Sequence, residues 1–199
     1  MKLVVVPHGA KVVSVKQYAP EIASDPPMTM EGKAKMLTLA PALREQGPYD
    51  TVYCSLMDRA CGTMCTIVKQ LGVKRVICID ELGQYGNLDN DGTVIAYPGH
   101  ENDGVLTWQH QGLQAVRLIH TEVAQGGLAE GRIAGQGKNQ PPKKRVLVFT
   151  HRPILAGLVA AASAIIDAGG IQKILDDKGL LGRGFRVFTV TNSGIRLLE

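Results

Sequence analysis

The feature that most constrains this chain is a set of short, continuous apolar runs recurring between longer helical patterns. Leu3–Val6 (LVVV), Thr51–Ser55 (TVYCS), Arg75–Ile79 (RVICI) and Arg145–Thr150 (RVLVFT) are rich in β-branched residues and stop abruptly at turn-forming or polar residues. Runs of this kind read as buried strands. Between and after them lie helical patterns over residues 30–46, 58–71, 106–123 and 154–168. Pro41 falls inside the first pattern and is expected to kink or split it, because its ring removes a helix N–H and clashes with the preceding turn. In the third, Leu106, Leu113, Val116, His120 and Val123 share a face, which is expected to pack in the core.

Strands alternating with helices predict an α/β fold, a three-layer α/β/α sandwich around a mainly parallel sheet. Two further strands, Phe185–Thr191 and Ile195–Leu198, are separated only by Asn192-Ser193-Gly194, a hairpin turn that gives the sheet an antiparallel edge. The length of 199 residues suits one domain spanning 1–199. Gly126 to Lys144, dense in Gly, Pro and charge, reads as a loop within it.

Charge and composition exclude several classes of function. The net charge of +4 is mild, the basic residues are scattered and aromatics make up only 5% of the chain, so a nucleic-acid surface is not supported. No apolar stretch approaches the roughly 18–20 residues that a membrane span needs. The residues before Pro7 are too few for a signal peptide. A cytoplasmic protein is the expectation. The four cysteines, Cys54, Cys61, Cys65 and Cys78, match no zinc spacing and are expected to be reduced, buried thiols. No metal and no cofactor is expected.

Ligands of open parallel sheets bind beyond the carboxyl ends of the strands, so the residues that follow each strand carry the information. The first run leads into Pro7-His8-Gly9, the second into Leu56-Met57-Asp58-Arg59, the third into Asp80-Glu81 and the fourth into His151-Arg152. Two histidines, two arginines and carboxylates therefore meet at one edge. A phosphoryl group asks for that set: a nucleophile, cationic donors for its oxygens and an acid for the leaving oxygen. A neutral imidazole can attack phosphorus, and an arginine at a helix start adds a planar fork of donors beside a favourable helix dipole. Two other phosphate motifs fail on spacing. Cys54 and Arg59 stand one residue too close for a cysteine phosphatase loop. The segment 131–139, GRIAGQGKN, has the wrong glycine spacing for a Walker A loop, ends in Asn and precedes a strand.

With these residues in order, the chain resembles the histidine phosphatase superfamily, the phosphoglycerate mutase-like fold. The family's first strand ends in Arg-His-Gly, here Pro7-His8-Gly9. Its Pro-Leu-Thr-x-x-Gly helix entry is matched by Pro27-Met28-Thr29-Met30-Glu31-Gly32, and its Tyr-x-Ser-x-x-x-Arg-Ala-x-x-Thr segment by Tyr53, Ser55, Arg59, Ala60 and Thr63. A glutamate follows the next strand (Glu81, then Tyr85-Gly86), a late strand ends in Thr150-His151, and a short hairpin carrying Asn192 closes the chain.

The resemblance implies roles. His8 would be the nucleophile that becomes phosphohistidine, Arg59 and His151 would bind the phosphoryl oxygens, and Glu81 would protonate the leaving group. Glu81 stands one residue further from its aromatic-Gly pair than the family pattern, which leaves Asp80 or a carboxylate of the 101–103 segment, Glu101 or Asp103, as alternatives. Gly9, Lys11, Ser55 and Arg152 are the candidate substrate-binding residues. The main departure is Pro7, where the family carries Arg: proline offers neither a side-chain donor nor a backbone N–H. Lys11, Lys16 or Arg152 could supply charge in its place, though lysine gives a point charge and not a fork.

Two functions follow as expectations. One is a phosphatase acting through phosphohistidine on a phosphorylated small molecule or a phosphoprotein. The other is a weak or inactive relative that binds a phosphorylated ligand or serves as an interaction module. A homodimer is compatible with either. A mutase is disfavoured because the segment between the third and fourth strands is too short to keep water out. A nucleotide-binding domain is disfavoured because no glycine fingerprint follows the first strand.

Overall fold

The structure is a computed structural model that describes residues 1–11, 25–73, 75–83, 87–88, 94–95, 106–129, 144–165, 167–177 and 184–198. The expected strands form a six-stranded mixed sheet. Its members are β1 (Lys2–Pro7), β2 (Thr51–Ser55), β3 (Val76–Ile79), β6 (Arg145–Thr150), β7 (Arg186–Thr191) and β8 (Gly194–Leu197), in the order β3-β2-β6-β1-β7-β8. The first four are mutually parallel, and β7 and β8 join antiparallel at one side. Two short strands, β4 (Asn87–Leu88) and β5 (Val94–Ile95), pair apart from the main sheet.

Six helices accompany these strands among the described residues: α1 (Met30–Leu37), α2 (Ala40–Gln46), α3 (Asp58–Leu71), α4 (Leu106–Ala129), α5 (Arg152–Ala162) and α6 (Ala168–Asp176). They divide by face, because side chains alternate across each strand. Val4, Val6, Val52, Cys54, Leu147 and Phe149 point toward α1, α2 and α3, burying Met36, Leu43, Ala60 and Ile67. Leu3, Val5, Tyr53, Val146, Val148 and Phe188 point the other way, against α4, α5 and α6. The three expected layers follow.

Local chemistry sets the helix ends. Thr29 caps α1 by accepting from the Gly32 N–H at 2.9 Å. Pro41 splits the first helical pattern, sitting in the opening turn of α2 where its missing N–H costs nothing. Gly72, at φ 64°, takes the left-handed position that stops α3.

Four expectations need correction. The pattern over 154–168 is two elements, since α5 ends at Ala162 and Asp167 starts α6 by accepting from Gly170 N–H at 2.7 Å. A local cap thus overrides a continuous apolar pattern. On α4 the fully buried face runs through Trp108, Gln111, Gly112, Ala115, Val116 and Ile119, leaving Leu113, His120 and Val123 at its margin. Small residues decide that face: a Cβ on Gly157 of α5 would lie 2.7 Å from the α4 backbone at Gln109, so the two helices touch main chain to main chain. Finally, the four cysteines are free but only Cys54 is buried. Cys61 is half-buried, and Cys65 and Cys78 are exposed, on the outer side of α3 and on the edge strand β3. The expected loop at 126–144 starts later than its composition implies, since α4 continues to Ala129; residues 130–143 lie outside the described residues.

Candidate active site

Register brings the two histidines together. β1 and β6 are adjacent, parallel and aligned with Pro7 opposite Thr150. The next residues, His8 and His151, therefore emerge side by side at the carboxyl edge, with His8 N–H donating to the Thr150 carbonyl at 2.9 Å. Their ring centroids lie 5.1 Å apart at an interplanar angle of 62°. The chain after β1 packs its helices on one face of the sheet and the chain after β6 packs its first helix on the other. The crevice that such divergence opens is where α/β sheets bind ligands.

Gly9 makes the close approach possible. A Cβ there would lie 2.6 Å from Met28 Sδ and 2.7 Å from Met36 Cγ, so only glycine lets the loop after His8 lie against α1. Its N–H donates to Thr63 Oγ1 at 3.0 Å, and that hydroxyl donates onward to the Arg59 carbonyl at 2.8 Å, within the first turns of α3.

The protonation state of His8 follows from its partners. Nδ1 lies 2.7 Å from the Gly9 carbonyl oxygen, which can only accept, so Nδ1 carries the proton and Nε2 keeps its lone pair. Burial lowers the pKa of His8 to about 4, with Arg59 and Lys11 adding to the fall and the Gly9 bond opposing it. The ring is neutral at neutral pH, as an attacking nitrogen must be.

His151 is completely buried and its pKa too is lowered well below the ordinary value, first by burial and then by the charge of Arg59. Its Nε2 lies 2.9 Å from Ser55 Oγ, at the end of β2, the neighbouring strand on the other side of β6. Ser55 Oγ accepts from the Met57 N–H at 3.2 Å and has its own proton to give to Nε2, an arrangement that pairs with the Nδ1–H tautomer of His151. That Nδ1 is buried with no hydrogen-bond partner among the described residues. In the Nδ1–H tautomer it is a donor on the ring that faces His8.

Arg59 occupies the second position of α3 and is only 1% exposed. A guanidinium is that deeply buried only when it is paired. Asp25 supplies the pairing: its Oδ1 lies 2.6 Å from Arg59 Nη1, while its Oδ2 accepts from the Asp58 N–H at 2.6 Å. Lys11 forms a β-bridge with Met28, and its pKa is lowered by partial burial and by Arg59.

The structure thus brings His8, Gly9, Lys11, Ser55, Arg59 and His151 to one sheet edge. Ser55 is spent on His151 and on the Met57 N–H. The Gly9 N–H is spent on Thr63. Arg152 points elsewhere: it is exposed on the first turn of α5 and its Nη2 donates to the Leu175 carbonyl of α6, so it is not drawn into the histidine pair. Asp80 and Glu81 lie in a single 3₁₀ turn, Asp80–Leu82, tied to the site by Thr150 Oγ1 donating to the Leu82 carbonyl at 2.8 Å. Among the described residues, the charges that bear on His8 are those of Arg59, Lys11 and Asp25, and Glu81 is not one of them. Lys16, Tyr85, Gly86, Glu101 and Asp103 lie outside the described residues. The residue that sequence reasoning missed is Asp25. Its one signal was Met57, a side chain that cannot cap the helix it precedes and so calls for a cap from elsewhere. Among the described residues no group of three or more His, Cys, Asp or Glu side chains could hold a metal ion, and no helix is long and apolar enough to cross a membrane.

A strand-tip histidine pair stands beside a buried helix-start arginine, at the positions the sequence motifs nominated. The chain belongs to the histidine phosphatase superfamily, branch 1, whose family model matches residues 3–174. Solved structures with the same fold include a mycobacterial glucosyl-3-phosphoglycerate phosphatase complexed with VO3. It has 18% identity and a TM-score of 0.60, with 99% of this chain and 96% of that one covered. An Entamoeba histolytica phosphoserine phosphatase mutant, in complex with phosphoserine, has 15% identity and a TM-score of 0.62 over 100% and 95% of the two chains. Bacillus stearothermophilus YhfR has 17% identity and a TM-score of 0.65 over 98% and 94%. No curated protein sequence matches the chain significantly.

Proposed function

We propose that this protein is a phosphomonoester hydrolase that works through a phosphohistidine on His8. The observation that carries the reading is the state of His8: neutral, with Nδ1–H pinned to the Gly9 carbonyl and Nε2 unprotonated, 5.1 Å from His151 and within the field of Arg59. In the first step Nε2 attacks phosphorus, a P–N bond forms, and the P–O bond to the leaving group breaks. The leaving oxygen takes a proton from a carboxylic acid: Glu81, with Asp80, Glu101 and Asp103 as the alternatives. In the second step water attacks phosphorus, the P–N bond breaks, and the water proton returns to that carboxylate. Arg59 and the Nδ1–H of His151 stabilise charge on the phosphoryl oxygens, and Lys11 adds a point charge. The substrate is a phosphorylated small molecule or a phosphoprotein.

A second reading is favoured by one observation. Pro7, at the end of β1 and aligned with Thr150, brings no donor to the position where the family carries arginine. On that reading the pocket binds a phosphorylated ligand and turns it over weakly or not at all.

Incubation with p-nitrophenyl phosphate, followed by base-stable phosphate trapping and phosphorus NMR, separates the two. The phosphatase reading expects release of nitrophenol and a phosphohistidine signal, both lost in His8→Ala. Phosphate binding that depends on Arg59, without either signal, selects the binding reading.

A further inference from the structure

We infer that Asp25 is a positioning residue that fixes Arg59 for phosphoryl binding, an assignment that rests on the phosphoryl-site reading above. The Asp25 carboxylate takes two partners that matter to the site. Its Oδ1 pairs with Arg59 Nη1 at 2.6 Å, and its Oδ2 accepts from the Asp58 N–H at 2.6 Å, at the first residue of α3. The residue preceding the helix, Met57, makes no side-chain cap. Asp25 therefore caps α3 from outside and clamps the second residue's guanidinium with the same carboxylate. One planar group sets both the start of the helix and the direction of the fork that it carries.

Asp25 is itself held by the nucleophile loop. Four residues on, Thr29 N–H donates to the Ala10 carbonyl at 2.9 Å and Thr29 Oγ1 donates to the same oxygen at 3.2 Å. Met28 forms a β-bridge with Lys11, and its Sδ lies 3.1 Å from Thr63 Oγ1. A Cβ on Gly32 would lie 2.5 Å from the Ala10 carbonyl, so the α1 entry lies directly against that loop. The segment from Asp25 to Gly32 is a strut between the loop bearing His8 and the helix bearing Arg59. Asp25 is where the strut grips the arginine. At 25% side-chain exposure against 1% for Arg59, it closes the pair at the outer side of the guanidinium. Pinning Nη1 engages one of the five N–H donors and holds the planar guanidinium in a fixed orientation. In a pocket whose first motif arginine is replaced by Pro7, the orientation of Arg59 decides more of the phosphoryl affinity than it would where two arginines share the group.

The test uses Asp25→Asn, which keeps an oxygen for the Asp58 N–H and removes the ion pair, alongside Arg59→Ala. Orthovanadate and inorganic phosphate are the probes, with binding read by calorimetry on the intact protein. We expect Asp25→Asn to weaken vanadate binding about tenfold or more, the scale of a lost charge-assisted bond. Arg59→Ala should abolish binding. Tighter binding in Asp25→Asn would show that the carboxylate competes with the anion, and it overturns the assignment, as does unchanged affinity. If Arg59→Ala binds vanadate as the wild type does, the phosphoryl-site reading falls, and this assignment falls with it. A second readout needs no variant and no ligand. In the wild-type protein the Arg59 guanidinium should give separately resolved Nη nitrogen signals by NMR, because rotation is blocked by the Asp25 clamp. A single averaged signal overturns the assignment.

Discussion

Acid should destabilise this protein through His8. The pKa of His8 falls from 6.5 to about 4 on folding, chiefly by burial. The folded state therefore resists a proton that the unfolded chain accepts. The stability is complete above pH ~6.5 and is lost as pH falls toward ~4, since between those values only the unfolded state is protonated at this group. The difference of about 2.5 pH units amounts to ~3 kcal/mol once the loss is complete, of which ~2 kcal/mol has gone by pH 5. His151, buried beside it and lowered in the same direction, adds to the loss. Urea denaturation of the wild type and of His8→Asn at pH 7 and pH 5 isolates the His8 share. The wild type should lose about 2 kcal/mol more than the variant. Proton NMR of the ring should report a midpoint near 4 in the free protein and a higher one with phosphate bound, because an anion favours the imidazolium. A midpoint near 6.5 in the free protein, with equal acid sensitivity in the variant, refutes the neutral, desolvated nucleophile on which the mechanism rests.

Three further outcomes follow from the geometry. Pro7→Arg should raise kcat/KM on p-nitrophenyl phosphate about tenfold or more, the low end of what one oxyanion donor is worth, and a folded variant without any gain removes Pro7 as the defect. Ser55→Ala strips the partner from His151 Nε2 and from the Met57 N–H, so thermal unfolding should show a loss of about 1–3 kcal/mol, and turnover should fall while His8→Ala remains the more damaging change. Gly157→Ala places a methyl 2.7 Å from the α4 backbone, where nothing flexible can yield, so denaturant titration should show a loss on the order of 3 kcal/mol, against little change for alanine at Gly169.

Much of this was legible in the chain because it is local. Continuous β-branched runs define parallel strands whichever neighbours they find, since both faces must be covered. Pro41 breaks its helix through its own ring, and the residues after each strand belong to the site because a parallel sheet sends all its strand ends to one edge. His8, Arg59 and His151 could be nominated on those grounds. The tertiary structure alone decided what depends on distance across the sequence. The neutral state of His8 requires the burial that the packed sheet edge supplies. The use of Ser55 to orient His151 requires β2 and β6 to be neighbours. The departure of Arg152 toward Leu175 depends on where α6 docks, and α6 itself starts at a cap that the apolar pattern conceals. Asp25 meets Arg59 across 34 positions of sequence. No periodicity encodes that meeting, because it is made by a strut whose glycine and threonine contacts exist only once β1, α1 and α3 have packed.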